Sequence, residues 1–361
     1  MRPEAKSRRN ALTRFKLLPA MAAAVVAAGL GAAHAAQQVT LVETGSSLLY
    51  PLFNIWVPVF EKTHPDIRVT TQSTGSGTGI AQAISGVVQI GASDAYMSDP
   101  QIKQNKGLLN IPLAISAQAI NYNLPGLNSQ HLKLSGPVLA GIYTGKITKW
   151  NDPQIAKLNP GMKLPDHKII PVHRTDGSGD TFIFSQYLSF STPSWENSVG
   201  YGTTVSWPAT SGGLGAEGNP GMVEALKQNP YSIAYIGVSF YKQVAAAKLG
   251  VAMLRNKDGK YVLPSASTIS AAASQLVSKT PPDERISLVY APGPNSYPII
   301  NYEYAIVNDH QPNKATADAV KDLLTWASTK GNAAQYLNQV EFKALPKPVL
   351  KLSEAQIAKI H

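Results

Sequence analysis

Arg174, Thr175, Asp176, Gly177, Ser178, Gly179 and Asp180 put a guanidinium, two carboxylates and a Gly/Ser turn into one short stretch. Residues 169–173 before it form a short apolar strand candidate, and Phe182, Ile183, Phe184, Tyr187 and Leu188 after it repeat with helical spacing. The turn therefore leads from a strand into a helix N-terminus, where backbone N–H groups lack intrahelical partners and the peptide dipoles favour negative charge. Gly177 and Gly179 let those N–H groups converge, Ser178 adds a hydroxyl, and Arg174 offers a planar, permanently charged fork. The chemistry this suits is the grip on a small anion; taken alone, the same residues also make an ordinary glycine turn with a surface arginine.

The device recurs. Residues 67–71 alternate like a half-buried strand, enter Ser73-Thr74-Gly75-Ser76-Gly77-Thr78-Gly79, and give way to the short helix pattern Ile80, Ala81, Ala83, Ile84. Residues 39–42 lead into Thr44-Gly45-Ser46-Ser47, followed by an apolar run from Leu48 to Phe60. A fourth element places Asp94 just past a strand candidate over 87–90. Ligands of open α/β sheets sit at the carboxyl ends of strands, so these turns are expected to face one crevice.

The elements that must position them alternate between helix and strand along the chain, which predicts an α/β fold. A longer alternating strand is read over 116–124, another over 232–236, and a strand from Ile299 to Val307 follows the breaker 291–298. An amphipathic helix is expected over 315–329. The glycine run 211–218 reads as a mobile surface loop rather than an anion cradle. Pro58 inside the first helical pattern predicts a kink or a restart.

The chain has 361 residues and a formal net charge of +10. Residues 1–16 are basic, 17–33 are uncharged and rich in Ala, Val and Leu, and Ala33-His34-Ala35 has the small residues of a cleavage site. Residues 1–35 are read as a secretory signal peptide, with a membrane anchor as the alternative. Without them the net charge falls to +5. So small a remaining charge, with no Lys/Arg block interleaved with aromatics, speaks against a nucleic-acid partner. There is no cysteine, hence no disulfide, thiolate metal site or lipid-carrying thiol, and a soluble periplasmic protein is expected.

A secreted hydrolase is the rival reading. No serine of these turns lies in G-x-S-x-G, the histidines show no metal-ligand spacing, and Lys146 lacks the earlier glycine of a phosphate-binding loop. His173 and the five tryptophans are read as structural. No cofactor or metal is expected.

Taken together, 45–48, 75–79, 91–95 and 174–179 closely resemble the periplasmic phosphate-binding proteins of the phosphate-specific ABC transporter, and 141–152, 158–161 and 297–302 also fit. The resemblance covers nearly the whole chain after residue 35. It implies a two-lobed periplasmic binding protein fold of type II, lobe I being 36–115 plus 298–361 and lobe II 116–297, with two hinge strands joining them. It implies no enzymatic activity and a monomer that binds inorganic phosphate and meets an inner-membrane ABC permease. The ligand contacts it implies are Ser47, the N–H of Leu48, Ser76, Asp94, Arg174, Ser178 and Gly179, with Asp176 orienting the arginine. Asp180 departs from the family, which commonly has threonine there; it is expected either as a second site carboxylate that sustains affinity at lower pH or as the cap of its helix. A carboxylate in an anion site counts protons: phosphate keeps an O–H to donate to Asp94, whereas sulfate has none. Other oxyanions, such as a phosphonate, a phosphate ester or sulfate, are the nearer alternatives.

Overall fold

The strands of this computed structural model follow chain order as β1 Val39–Gly45, β2 Ile67–Ser73, β3 Ile90–Ser93, β4 Leu108–Asn123, β5 Lys133–Leu134 and β6 Ile170–Arg174. β7 Leu214–Ala216, β8 Ser232–Gly237, β9 Gly250–Val251, β10 Met253–Arg255, β11 Tyr261–Val262 and β12 Ile300–Asn308 complete them. Residues 38–209 and 212–361 are described; the expected signal peptide lies outside them.

The main sheet runs β2-β1-β3-β12-β4-β8-β6-β7, with β9 added on β4, and a small sheet runs β11-β10-β5. Its two wings are parallel: β1 pairs with β2 and β3, and β6 pairs with β7 and β8. The centre is antiparallel, because β12 pairs with β3 and β4, and β4 pairs with β8. Parallel pairing requires helical crossovers, and the helices Tyr50–Thr63 and Ser76–Ile84 supply them in the first wing. Each wing therefore directs strand ends and helix starts toward the same side.

β4 is the spine. It pairs with β12 up to Ala117 and with β8 from Gln118 onward, so one sixteen-residue strand serves both wings. It begins well before the expected residue 116. Pro112 lies where the β4–β12 register shifts, and a bulge is where a strand tolerates a residue without an N–H. All of β4 except Asn123 is buried, so no clean in-out alternation marks its first half.

The first helix removes one of the two outcomes expected at Pro58, the restart. It runs through Pro58 from Tyr50 to Thr63 without a restart. Pro58 and Asn54, four residues earlier, are both exposed, so the carbonyl freed by the missing N–H has water to bond. The opposite face buries Leu52, Phe53, Trp56, Val57 and Phe60. Trp56 sets its ring edge-on to Trp326 of the helix Lys314–Ser328 and donates to Gly331 O at 2.8 Å. Trp150 and Trp195 are also fully buried, while Trp207 is half-buried and stacks on His173 and Tyr235.

β3 starts at Ile90 rather than at residue 87, which leaves Asp94 as the first residue past its end. Glycines allow the close packing of the three turns there. A Cβ on Gly79 would lie 2.6 Å from Ala92 O and 2.8 Å from Thr44 O.

Candidate anion-binding site

The three Gly/Ser turns meet. Gly75 N donates to Gly45 O at 2.7 Å, joining the second turn to the first. Gly77 N donates to Gly177 O at 2.8 Å, joining the second to the third. A Cβ on Gly179 would lie 2.4 Å from Asp94 Oδ2 and 2.6 Å from Ser76 Oγ, so the third turn rests directly against the first wing. Only glycine permits that approach.

Asp94 is the centre of one half. Ser46 Oγ donates to its Oδ1, Ser76 Oγ lies 3.4 Å from its Oδ2, and its own N–H donates to Ser76 Oγ at 3.2 Å. It is 2 % exposed. Burial, and next the charge of Asp180, push its carboxyl up to about 7, held back by hydrogen bonds from Glu303 and Ser46 and by the charge of Arg174.

Arg174 is the centre of the other half. Its Nε donates to Asp176 Oδ1 at 2.7 Å, one terminal nitrogen donates to Asp176 Oδ2, and the other to Asp180 Oδ2 at 2.8 Å. Its backbone N donates to Tyr235 Oη at 2.9 Å, and the same hydroxyl bonds Thr181 Oγ1 at 2.8 Å. Burial opposes the charge, but Asp176 and Asp180 hold the guanidinium pKa above its ordinary value. The same bonds, against burial, keep Asp176 below the usual carboxylate range.

Asp180 does not cap its helix. Ser178 does, its Oγ accepting from Thr181 N at 3.2 Å. Asp180 is fully buried and three protein side chains donate to its carboxylate: Gln118 Nε2 at 3.0 Å on Oδ1, and Arg174 together with Asn219 Nδ2 at 2.7 Å on Oδ2. Burial pushes its carboxyl up, offset by Arg174, Gln118 and Asn219.

Ser47 and Leu48 face the second wing. Ser47 Oγ accepts from Asn219 N at 3.1 Å and Asn219 Nδ2 at 3.0 Å. Leu48 O accepts from Ser239 Oγ at 2.8 Å. Ser178 N is committed to Thr203 O at 2.7 Å. His173 stacks on Trp207, in keeping with a structural role.

The structure adds Ser46, Gln118, Asn219 and Glu303 to the residues expected from sequence. The described part of the glycine run lies at the surface, but it is not all loop: 214–216 form β7, Gly218 N donates to Asp176 Oδ1 at 3.1 Å, and the buried Asn219 just after it ties Ser47 to Asp180. Asn219 Oδ1 in turn accepts from Gly237 N at 2.8 Å. The signal was the asparagine placed at the start of the apolar helix pattern after the glycines.

A two-winged α/β sheet whose turns converge on one buried arginine and one buried aspartate defines a solute-binding protein of the periplasmic type. In agreement, the family model described as the PBP superfamily domain matches residues 30–330. The chain is 38 % identical over 320 residues to the phosphate-binding protein PstS of Pasteurella multocida, covering 89 % of this chain and 90 % of that one. It is 36 % identical over 333 residues to PstS of Methanocaldococcus jannaschii, covering 87 % and 85 %. Among solved structures, a high-affinity periplasmic phosphate-binding protein bound with phosphate superposes with a TM-score of 0.71 at 19 % identity, over 88 % of this chain and 93 % of that one. The phosphate-binding protein of Stenotrophomonas maltophilia gives 0.66 at 19 % identity, over 88 % and 93 %. The chain belongs to the PstS family of phosphate-binding proteins, and its fold is the two-lobed type II binding protein fold.

Proposed function

We propose that this chain captures inorganic phosphate in the periplasm and delivers it to an inner-membrane ABC permease, without catalysing a reaction on it. One observation carries the reading: a buried carboxylate, Asp94, faces a buried guanidinium, Arg174, where three N–H- and hydroxyl-rich turns meet. Arg174 and the turn groups supply charge and donors for the ligand oxygens, while Asp94 accepts the O–H that phosphate retains at neutral pH. Sulfate brings no proton and meets Asp94 as a like charge.

The contacts assigned to the ligand are Ser47, the Leu48 backbone, Ser76, Asp94, Arg174, Ser178 and Gly179, with Asp176 fixing the guanidinium. Asp180 is assigned beside Arg174 rather than on the ligand, a reading that its three protein donors support. The lobes are assigned as 36–115 with 298–361, and 116–297; the change of β4 partners after Ala117 supports that division. The working form is assigned as a monomer exported through its N-terminal signal. Among the described residues no helix is long and apolar enough to cross a membrane. Closure of the lobes around the ligand is what a permease can read as the loaded state.

Calorimetric titration of the unfolded, dialysed and refolded protein tests this. One-to-one binding of phosphate with no heat from sulfate is the expected result. Binding of neither, with heat from a phosphonate or a phosphate ester, overturns the assignment.

A further inference from the structure

Glu303 takes no part in the ligand contacts assigned above, yet it stands across the sheet from Asp94. β12 and β3 pair Tyr304 with Ser93 and Ala305 with Ala92, so the next rung sets Glu303 opposite Asp94. The side chain is fully buried. Its Oε1 accepts from Ser116 Oγ and, at 3.1 Å, from Asn301 Nδ2, and that amide also donates to the main-chain oxygen of Asp94 at 3.2 Å. Its Oε2 is buried and no donor among the described residues reaches it. The two carboxyl groups lie within hydrogen-bonding reach of each other.

Two carboxyls in contact away from water do not both ionise, so the pair holds a shared proton. The surrounding donors decide where it sits. Asp94 has Ser46 and Ser76 on its two oxygens, with Arg174 beyond; Glu303 Oε2 has none. A proton on Oε2 converts an orphaned acceptor into a donor and satisfies it against Asp94. We propose that Glu303 is a neutral carboxylic acid that donates to Asp94, and that this positioning residue holds Asp94 as the ionised acceptor that selects protonated oxyanions. The inference rests on the role of Asp94 under the phosphate reading.

The charged and titratable groups facing the pair are few. Asp94 faces Glu303 from the end of β3, and beyond Asp94 stand Asp180 and Arg174. Ser116 of β4 and Asn301 of β12 complete the surroundings of Glu303 and do not titrate. Asp180 disfavours a charge on Asp94 and Arg174 favours it, so the Glu303 proton adds to the pull of Arg174. Burial and the Asp94 charge keep Glu303 protonated well above the usual carboxylate range.

Two variants separate this role from packing. Glu303→Gln keeps the shape and a neutral donor; Glu303→Leu keeps the volume without one. Each is titrated with phosphate and sulfate from mildly acidic to mildly alkaline pH. The glutamine variant is expected to stay within about threefold of the wild type in phosphate affinity, with the same phosphate-to-sulfate ratio and pH profile. The leucine variant is expected to lose about tenfold in that ratio and to move its pH profile up by about one unit, the scale of one lost hydrogen bond to a charged group. A glutamine variant that behaves like leucine, or a leucine variant with an unchanged ratio, overturns the proposal. The infrared difference spectrum of ligand-free wild type against Glu303→Gln at mildly alkaline pH gives a readout that needs neither anion binding nor the leucine variant. Loss of the carbonyl stretch of a protonated acid supports the proposal, and loss of carboxylate bands alone overturns it. Failure of wild-type phosphate binding would sink the functional reading and leave the infrared result to decide the proton.

Discussion

The Asp94 end and the Arg174 end of the site are built from opposite materials. Around Asp94 there are hydroxyls, a second carboxyl and, among the described residues, no cation in direct contact, so the charge there depends on protons. Around Arg174 a guanidinium is tied to two carboxylates and its charge is permanent. The difference separates two tasks of an anion receptor. Holding an oxyanion requires fixed charge and directed donors, whereas telling phosphate from sulfate requires a group whose proton state answers to that of the ligand. The two ends meet on β4, where Ser116 reaches Glu303 and Gln118 reaches Asp180.

The largest expected effect comes from breaking the fixed-charge end. Arg174→Met leaves Asp180 buried beside a partner it has lost, and removal of one member of a buried ion pair costs about 3–5 kcal/mol, read from urea unfolding with loss of phosphate heat. Gly179→Ala attacks the seam between the ends. The added methyl meets Asp94 and Ser76, and overpacking of this kind costs roughly 1–3 kcal/mol, expected here mainly as weakened phosphate binding in calorimetry.

At the proton-reading end, Asp94→Asn replaces an acceptor by a group that both accepts and donates. Phosphate affinity is expected to fall by about tenfold to a hundredfold, the scale of a hydrogen bond to a charged group, and the phosphate-to-sulfate ratio with it. Competition calorimetry at neutral pH checks both. Asp180→Asn sharpens the comparison instead. It removes the charge that raises the Asp94 carboxyl, so Asp94 stays ionised to lower pH and phosphate affinity at mildly acidic pH is expected to rise above that of the wild type. An unchanged pH profile would show that the two ends are electrically independent.

The smallest effect concerns acids outside the site. Burial raises Glu43 and Glu284 from their ordinary value of 4.5 to about 8, each with one oxygen lacking a donor among the described residues. In the unfolded chain they ionise above about 4.5, while in the folded chain they keep the proton to about 8. Folding therefore binds protons in that window, and the stability these groups contribute is complete at its acid side and is lost as pH rises through about 8. Glu43→Gln is expected to flatten the decline in melting temperature between about pH 4.5 and about 8, measured by scanning calorimetry.

The amino-acid sequence by itself determined the strand-turn-helix units, their anion-directed chemistry and the α/β class. A glycine turn, a capping serine and a helical repeat are local, and nine residues from Arg174 to Phe182 suffice to specify them. The placement of Asp94 and Arg174 at strand ends and of Ser76 at the start of the following helix was legible because strand-to-helix turns are local. The strand over 108–115 escaped because its residues are buried on both faces, and Asn219 escaped because a glycine-rich approach looks the same whether it crosses the surface or folds under a site. Only tertiary structure decided which end of the site each acid serves. Asp176, Asp180 and Glu303 are chemically alike in the sequence, but the first two are set on a guanidinium and the third on another acid. The charge of a buried carboxyl follows from the donors that strand order brings to it, and that order is a property of the assembled sheet.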